Sequence, residues 1–154
     1  MKIVKIENRD SNLINNLIEV WESAVSATHL FLSNEEIENI KEYIPEALKF
    51  VPNLLVAENE EGKPLGFMGI QKQSLEMLFI SNENRGQWIG KKLIEYGIEN
   101  YSINEVAVNE KNTQAKGFYE KMGFEVYKRT ELDEQGNLYP VSYTHLTLPT
   151  TSRV

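Results

Sequence analysis

A mixed α/β domain, with helices before, between and after a run of strands, is the fold this sequence predicts. Three observations carry that reading. Apolar or alternating runs of strand length occur at Lys2–Ile6, Leu54–Glu58, Leu65–Ile70 and Leu75–Ile80. Apolar residues recur at helical spacing in Leu13, Leu17, Val20, Trp21 and Ala24, and again in Leu93, Ile94, Gly97, Ile98 and Tyr101. No linker or repeat divides the 154 residues, so a single domain, 1–154, is expected to hold all of them.

The elements follow in order. Lys2–Ile6 alternates like a half-buried strand, and Asp10 is placed to cap the first helix. Ser33 with Glu36 three residues on forms a capping box that opens a second helix. Pro45 interrupts that helix, so two short pieces ending near Phe50 are expected. Glu60-Glu61-Gly62-Lys63 between two apolar runs signals a hairpin. Leu75–Ile80 is the next strand and Gln87–Asn100 a long helix with one buried stripe. Glu105–Val108 is a short strand, and Asn112 caps a helix that runs to about Met122 and stops at Gly123. Phe124–Leu132, a turn at 133–137, and a last strand from Leu138 complete the chain. From Val141 the text holds four Thr, two Ser and no acidic residue. By alternation it fits an edge strand, but so sharp a change of composition reads as a non-native tail at 141–154 with no part in function.

Composition narrows the chemistry. A formal charge of −7 argues against a nucleic-acid partner, which needs a basic face. There is no cysteine, which removes disulfides, thiolate metal sites and a cysteine nucleophile. The two histidines, His29 and His145, are far apart, and no carboxylate spacing resembles a metal site. The charged N-terminus is unlike a signal peptide, and no apolar run reaches the ~20 residues of a membrane span. A cytoplasmic protein with no membrane partner is the expectation.

The richest stretch runs from Leu75 to Asn100. An apolar run meets the polar turn Ser81–Asn84, then Arg85 and Gly86, then an amphipathic helix opening near Gln87. A helix N-terminus after such a turn offers main-chain N–H groups and the positive end of the helix dipole, so it favours an anion. Gly86 and Gly90 allow close approach to the backbone, and Arg85, Lys91 and Lys92 add positive charge. The ligand expected is a phosphate or pyrophosphate.

Arg85 through Leu93 resembles the acetyl-CoA signature of the GNAT superfamily of N-acetyltransferases, a Gln or Arg followed by x-x-Gly-x-Gly/Ala. Val108 to Asn112, followed by Ala115 to Phe124, looks like that family's strand, helix and Gly-Phe junction. The Trp21–His29 stretch looks like the YjaB-type bacterial subgroup, and the whole likeness covers roughly Lys2 to Pro140. The resemblance implies a central, mostly antiparallel sheet splayed at the cofactor cleft and flanked by helices. It implies acetyl-CoA as co-substrate, with the pyrophosphate on main-chain amides from Arg85 through Gly86, Gln87, Trp88, Ile89 and Gly90 to Lys91. The acetyl carbonyl is expected at the main chain of Phe79 and Ile80, Asn112 at the pantetheine arm, and Tyr119 near the sulfur.

One departure stands out: the signature's first glycine is Trp88. A non-glycine residue is expected to help the helix by ~0.5–1 kcal/mol. An indole turned into the site costs a charge-assisted amide bond worth ~1.5–3 kcal/mol, whereas one turned outward costs little.

Acetyl transfer to an amine needs free base, and an ammonium of pKa ~10.4 is only about 0.04% deprotonated at pH 7. Glu76, taken to lie on the same strand face as Leu78 and Ile80, is the candidate base, helped by burial or a relaying water; its plain alternative is a solvent-facing strand residue. Tyr119, with a reference pKa of ~10, is the candidate acid toward a thiolate whose conjugate acid lies near ~8.5. Its alternative is a core aromatic. Thr28 and His29, just after the first helix, are candidates for the acceptor pocket. The expected activity is direct attack by a small-molecule amine or a protein amino group in a ternary complex, with no metal, by a monomer or homodimer. The rival is an acyl-CoA-binding or protein-interaction module whose catalysis was lost at Trp88.

Overall fold

The computed structural model describes residues 1–28, 32–84, 86, 88–133 and 140–147. In chain order the elements are β1 (Lys2–Lys5), α1 (Ser11–Thr28), α2 (Asn34–Lys41), α3 (Ile44–Phe50), β2 (Asn53–Glu58), β3 (Pro64–Gln71), β4 (Ser74–Ile80), a 3₁₀ turn (Asn82–Asn84), α4 (Ile89–Tyr101), β5 (Glu105–Asn109), α5 (Thr113–Lys121), β6 (Phe124–Thr130) and β7 (Val141–Leu146). Among the described residues the strands form one sheet in the order β1-β2-β3-β4-β5-β7-β6. Every neighbouring pair is antiparallel except β4–β5. No described helix is long and apolar enough to cross a membrane.

Local chemistry sets the helix ends. The Asp10 carboxylate accepts from Leu13 N at 2.9 Å and opens α1. Ser33 and Glu36 exchange reciprocal bonds of 3.1 and 3.0 Å at the start of α2. Pro45 sits in the first turn of α3, where its missing N–H costs nothing. The Arg9 guanidinium donates to the carbonyls of Leu48 at 2.9 Å and Val51 at 2.6 Å, which ties the end of α3 to the start of α1.

The sheet is buried on both faces at its centre, which is why β2 and β3 read as continuous apolar runs. On one face Leu55, Met68 and Ile70 pack with Leu93 and Ile94 of α4 and with Phe124. On the other, Leu54, Val56 and Phe67 pack with Leu17 and Trp21 of α1 and Leu48 of α3. Trp21, at 2% exposure, is core.

Three expectations need correction. The long helix begins at Ile89, because Trp88 before it holds a left-handed backbone. The last strand is not an edge: β7 lies between β5 and β6. Val141, Ser142 and Thr144 of β7 are buried, whereas β6 is mostly exposed and carries Glu125, Lys128 and Arg129, charges suited to a solvent edge. Alternation in β4 also fails. Leu75 pairs Ile70 but Met77 pairs Gly69, so Glu76 is an extra, bulged residue. That parity switch lets Leu75, Leu78 and Ile80 share one cluster while Met77 and Phe79 join the other. The expected turn at 133–137 and the start at Leu138 fall largely on 134–139, outside the described residues.

Gly66 holds β3 against the end of β4. A Cβ there would lie 2.9 Å from the carbonyl oxygen of Phe79 and 2.5 Å from Ile80 Cδ1. Because the Phe79 backbone cannot yield like a side-chain tip, Gly66→Ala is expected to cost ~1–3 kcal/mol. Urea denaturation of the variant measures it; an unchanged midpoint rejects the tight approach.

Candidate functional site

The β4–β5 ladder lasts only two residue pairs, Ser74 with Glu105 and Leu75 with Val106. Beyond them the strands diverge, starting where the Glu76 bulge bends β4. The gap opens into a cleft of about 670 Å³, walled by Glu76–Ile80 on one side and Ala107–Asn109 on the other. That volume is in the range of small-molecule sites, roughly 300–1,000 Å³. Each strand leads toward a helix at the same open end: β4 toward α4, β5 toward α5.

At the α4 end, the first intrahelical bond runs from Lys92 N to Trp88 O at 3.0 Å. The amides of Ile89, Gly90 and Lys91 therefore have no helical acceptor, and all three residues line the cleft with Gly86 and Trp88. Arg85 and Gln87 lie outside the described residues. Gly86 has φ +82°, and Trp88 has φ +66° and ψ 11°, both left-handed. The helix-propensity benefit expected at Trp88 does not arise, because the residue precedes the helix in a conformation that costs a non-glycine residue ~1–2 kcal/mol. Its indole is 66% exposed, with Lys91 Nζ 5.0 Å from the ring centroid. The side chain is turned toward solvent at the mouth of the cleft and does not fill it.

At the α5 end, Asn112 Oδ1 accepts from Ala115 N at 3.1 Å and caps the helix. Tyr119, 8% exposed, lines the cleft while its ring packs edge-on against Phe118 at 5.1 Å and Phe124 at 5.9 Å. Burial pushes its phenol above the usual tyrosine range. Even at the reference value of ~10, proton donation to a thiolate of ~8.5 runs uphill by about 2 kcal/mol, and burial steepens it. The group is therefore held protonated, as a standing hydrogen-bond donor.

Glu76 is exposed and lines the cleft. Phe79 and Ile80 line the same wall. Thr28 ends α1, and His29 lies outside the described residues. Sequence reasoning missed the opposite wall. Val106, Val108 and Asn109 of β5, and Phe118 beneath the start of α4, reach the site only through a strand pairing that no local pattern reveals. Among the described residues no group of three His, Asp or Glu could hold a metal ion.

Comparison with known proteins places this geometry. The family model described as an acetyltransferase (GNAT) domain matches residues 26–140. A peptidyl-lysine N-acetyltransferase, YjaB of Salmonella typhimurium, is 42% identical over 125 residues, spanning 81% of this chain and 86% of that protein. The solution structure of apo YjaB from Escherichia coli superposes with a TM-score of 0.84 at 35% identity, covering 96% of this chain and 99% of that one. The PaiA N-acetyltransferase of Thermoplasma acidophilum, solved in complex with coenzyme A, shares the fold at a TM-score of 0.67 and 23% identity, over 94% and 99% of the two chains.

Two glycines of the loop predict opposite outcomes. Gly86 has no neighbour within 4 Å of an added Cβ, so Gly86→Ala meets only backbone strain and is expected to destabilise by ~1–2 kcal/mol. At Gly90 the nearest atom would be Phe118 Cζ at 3.7 Å, an ordinary contact, and Gly90→Ala is expected to stabilise the helix by ~0.5–1 kcal/mol. Thermal denaturation of both variants checks the pair of signs.

Proposed function

Because this chain belongs to the GNAT acetyltransferase family, we propose that it carries the acetyl group of acetyl-CoA to the ε-amino group of lysine in a protein substrate. The observation that carries the reading is the parallel strand pair that parts after two residue pairs, leaving a cleft with two helix N-termini at its open end. The lysine acceptor is supported by the activity named for the 42% identical relative. The acidic balance of the chain, −7, suits a cationic partner, though only as a long-range bias.

In this reading the pyrophosphate rests on the amides that open α4, and the pantetheine arm runs between β4 and β5 past Asn112. The thioester carbonyl meets the β4 main chain around Phe79 and Ile80, where preorganised donors stabilise the oxyanion. The amine nitrogen attacks the carbonyl carbon; the C–N bond forms, and the tetrahedral intermediate collapses by breaking C–S. Glu76, through water, takes the proton that the ammonium must lose before attack. Tyr119 donates a hydrogen bond to the departing sulfur and passes its proton on as the cationic amide nitrogen resupplies it. With no cysteine in the chain, a cysteine-bound acetyl intermediate is not part of the route. The rival, a fold kept without catalysis, drew on an indole filling the site, and that indole is 66% exposed.

Acetyl-CoA at 100 times its dissociation constant is expected to stabilise the protein by ~2.7 kcal/mol, read as a rise in Tm. Thioester consumption should follow on adding a lysine-containing peptide. No shift at millimolar acetyl-CoA sinks the proposal; a shift without consumption across peptide and small amines favours the noncatalytic rival. Glu76→Gln should slow turnover at pH 7, and the deficit should shrink as pH rises toward ~10, where solvent supplies the free amine. Tyr119→Phe should lower kcat and leave acetyl-CoA affinity unchanged; equal kcat removes the phenol from the mechanism.

A further inference from the structure

Trp88 combines features that nothing in the proposed chemistry requires. It holds a left-handed backbone, φ +66°, where glycine is the less strained residue. It also leaves a large aromatic ring 66% exposed to water. Strain of this kind persists where surrounding structure holds it, and it concentrates at ligand clamps. The described residues include other exposed large apolar side chains, such as Tyr43, Phe50 and Tyr127, but of all of them only Trp88 lines the cleft. In the acetyl-CoA reading, the thioester lies at the cleft's inner end, near Tyr119, and the pyrophosphate on the α4 amides. The nucleotide attached beyond the pyrophosphate therefore leaves at the α4 N-terminus, where the indole stands.

Resting on the acetyl-CoA reading of this cleft, we propose that Trp88 recognises the nucleotide of the cofactor by stacking its indole on the purine ring. Base–aromatic stacking needs an exposed planar face next to the path of the nucleotide, and it tolerates a range of bases. Lys91 completes the arrangement. Its ammonium already sits 5.0 Å from the ring centroid, which orients the indole by a cation–π contact and sets a positive charge beside the phosphates. The substituted signature position thus exchanges flexibility for a side-chain grip on the far end of the co-substrate. The grip acts on binding and leaves the transfer step alone.

The test compares coenzyme A with S-acetyl-pantetheine, which lacks the nucleotide, in the wild type and in the Trp88→Phe and Trp88→Gly variants. Glycine suits the left-handed backbone, so Trp88→Gly is not expected to fail by misfolding. Calorimetric titration should show the Kd for coenzyme A rising about tenfold or more in Trp88→Gly, with Trp88→Phe in between. The Kd for acetyl-pantetheine should not move. The chain has two tryptophans and Trp21 is 2% exposed, so coenzyme A should quench the Trp88 emission, and the change should vanish in Trp88→Phe. If Trp88→Gly binds coenzyme A as tightly as the wild type or tighter, the stacking role is overturned while the acetyl-CoA reading stands. If the wild type itself binds no coenzyme A at millimolar concentration, that reading falls and takes this inference with it.

Discussion

Two strands that start as a parallel pair and then let go of each other set up everything this molecule does. A main chain removed from its neighbour still carries N–H and C=O groups that must be paired with something. In most folds such an edge is covered by another strand, a helix or a loop. Here the ladder between β4 and β5 ends at Leu75 and Val106, and the strands open toward solvent. The separated edges line a cleft. The Glu76 bulge makes the separation compatible with a continuous core. It inserts one residue without moving Leu78 and Ile80 off the face that Leu75 packs on.

The helices then convert a gap into a polarised site. α4 follows β4 and α5 follows β5, so both N-termini, with their positive dipole ends, lie at the open end of the gap. Gly66 lets β3 approach the main chain of Phe79, which fixes the β4 wall. In the proposed reading, binding through main-chain groups also explains how the loop accepts Trp88. Amide positions depend on φ and ψ, and the left-handed backbone that Trp88 holds is one a glycine adopts without strain.

The sequence was most informative where one turn of backbone decides the outcome. Asp10, the Ser33–Glu36 box, Pro45 and Asn112 each act on main-chain groups within four residues, and each ended or opened its helix as read. The apolar stripe of α4 was equally plain, because its period is set by the helix itself. What could not be read involved distant partners. The position of β7 depends on which of two strands carries more charge outward, a comparison between segments. The bulge at Glu76 shows only in the register against β3, since Leu75–Ile80 looks like ordinary alternation interrupted by a glutamate. Trp88 was misread as helical because one residue decides between the first turn and the position before it.

The cleft also separates its ionisable groups by environment. The proposed reaction must dispose of two protons. One leaves the substrate ammonium before attack and belongs to the solvent; the other moves from nitrogen to sulfur as the intermediate collapses. An exposed carboxylate is suited to the first, because water at its side can carry the proton away. A buried phenol suits the second, because it does not ionise near neutral pH. Exposed Glu76 and Tyr119 packed between Phe118 and Phe124 occupy those two environments. Exchanging their positions would defeat both, since a buried glutamate would resist ionisation and an exposed phenol would lose its proton to solvent at alkaline pH.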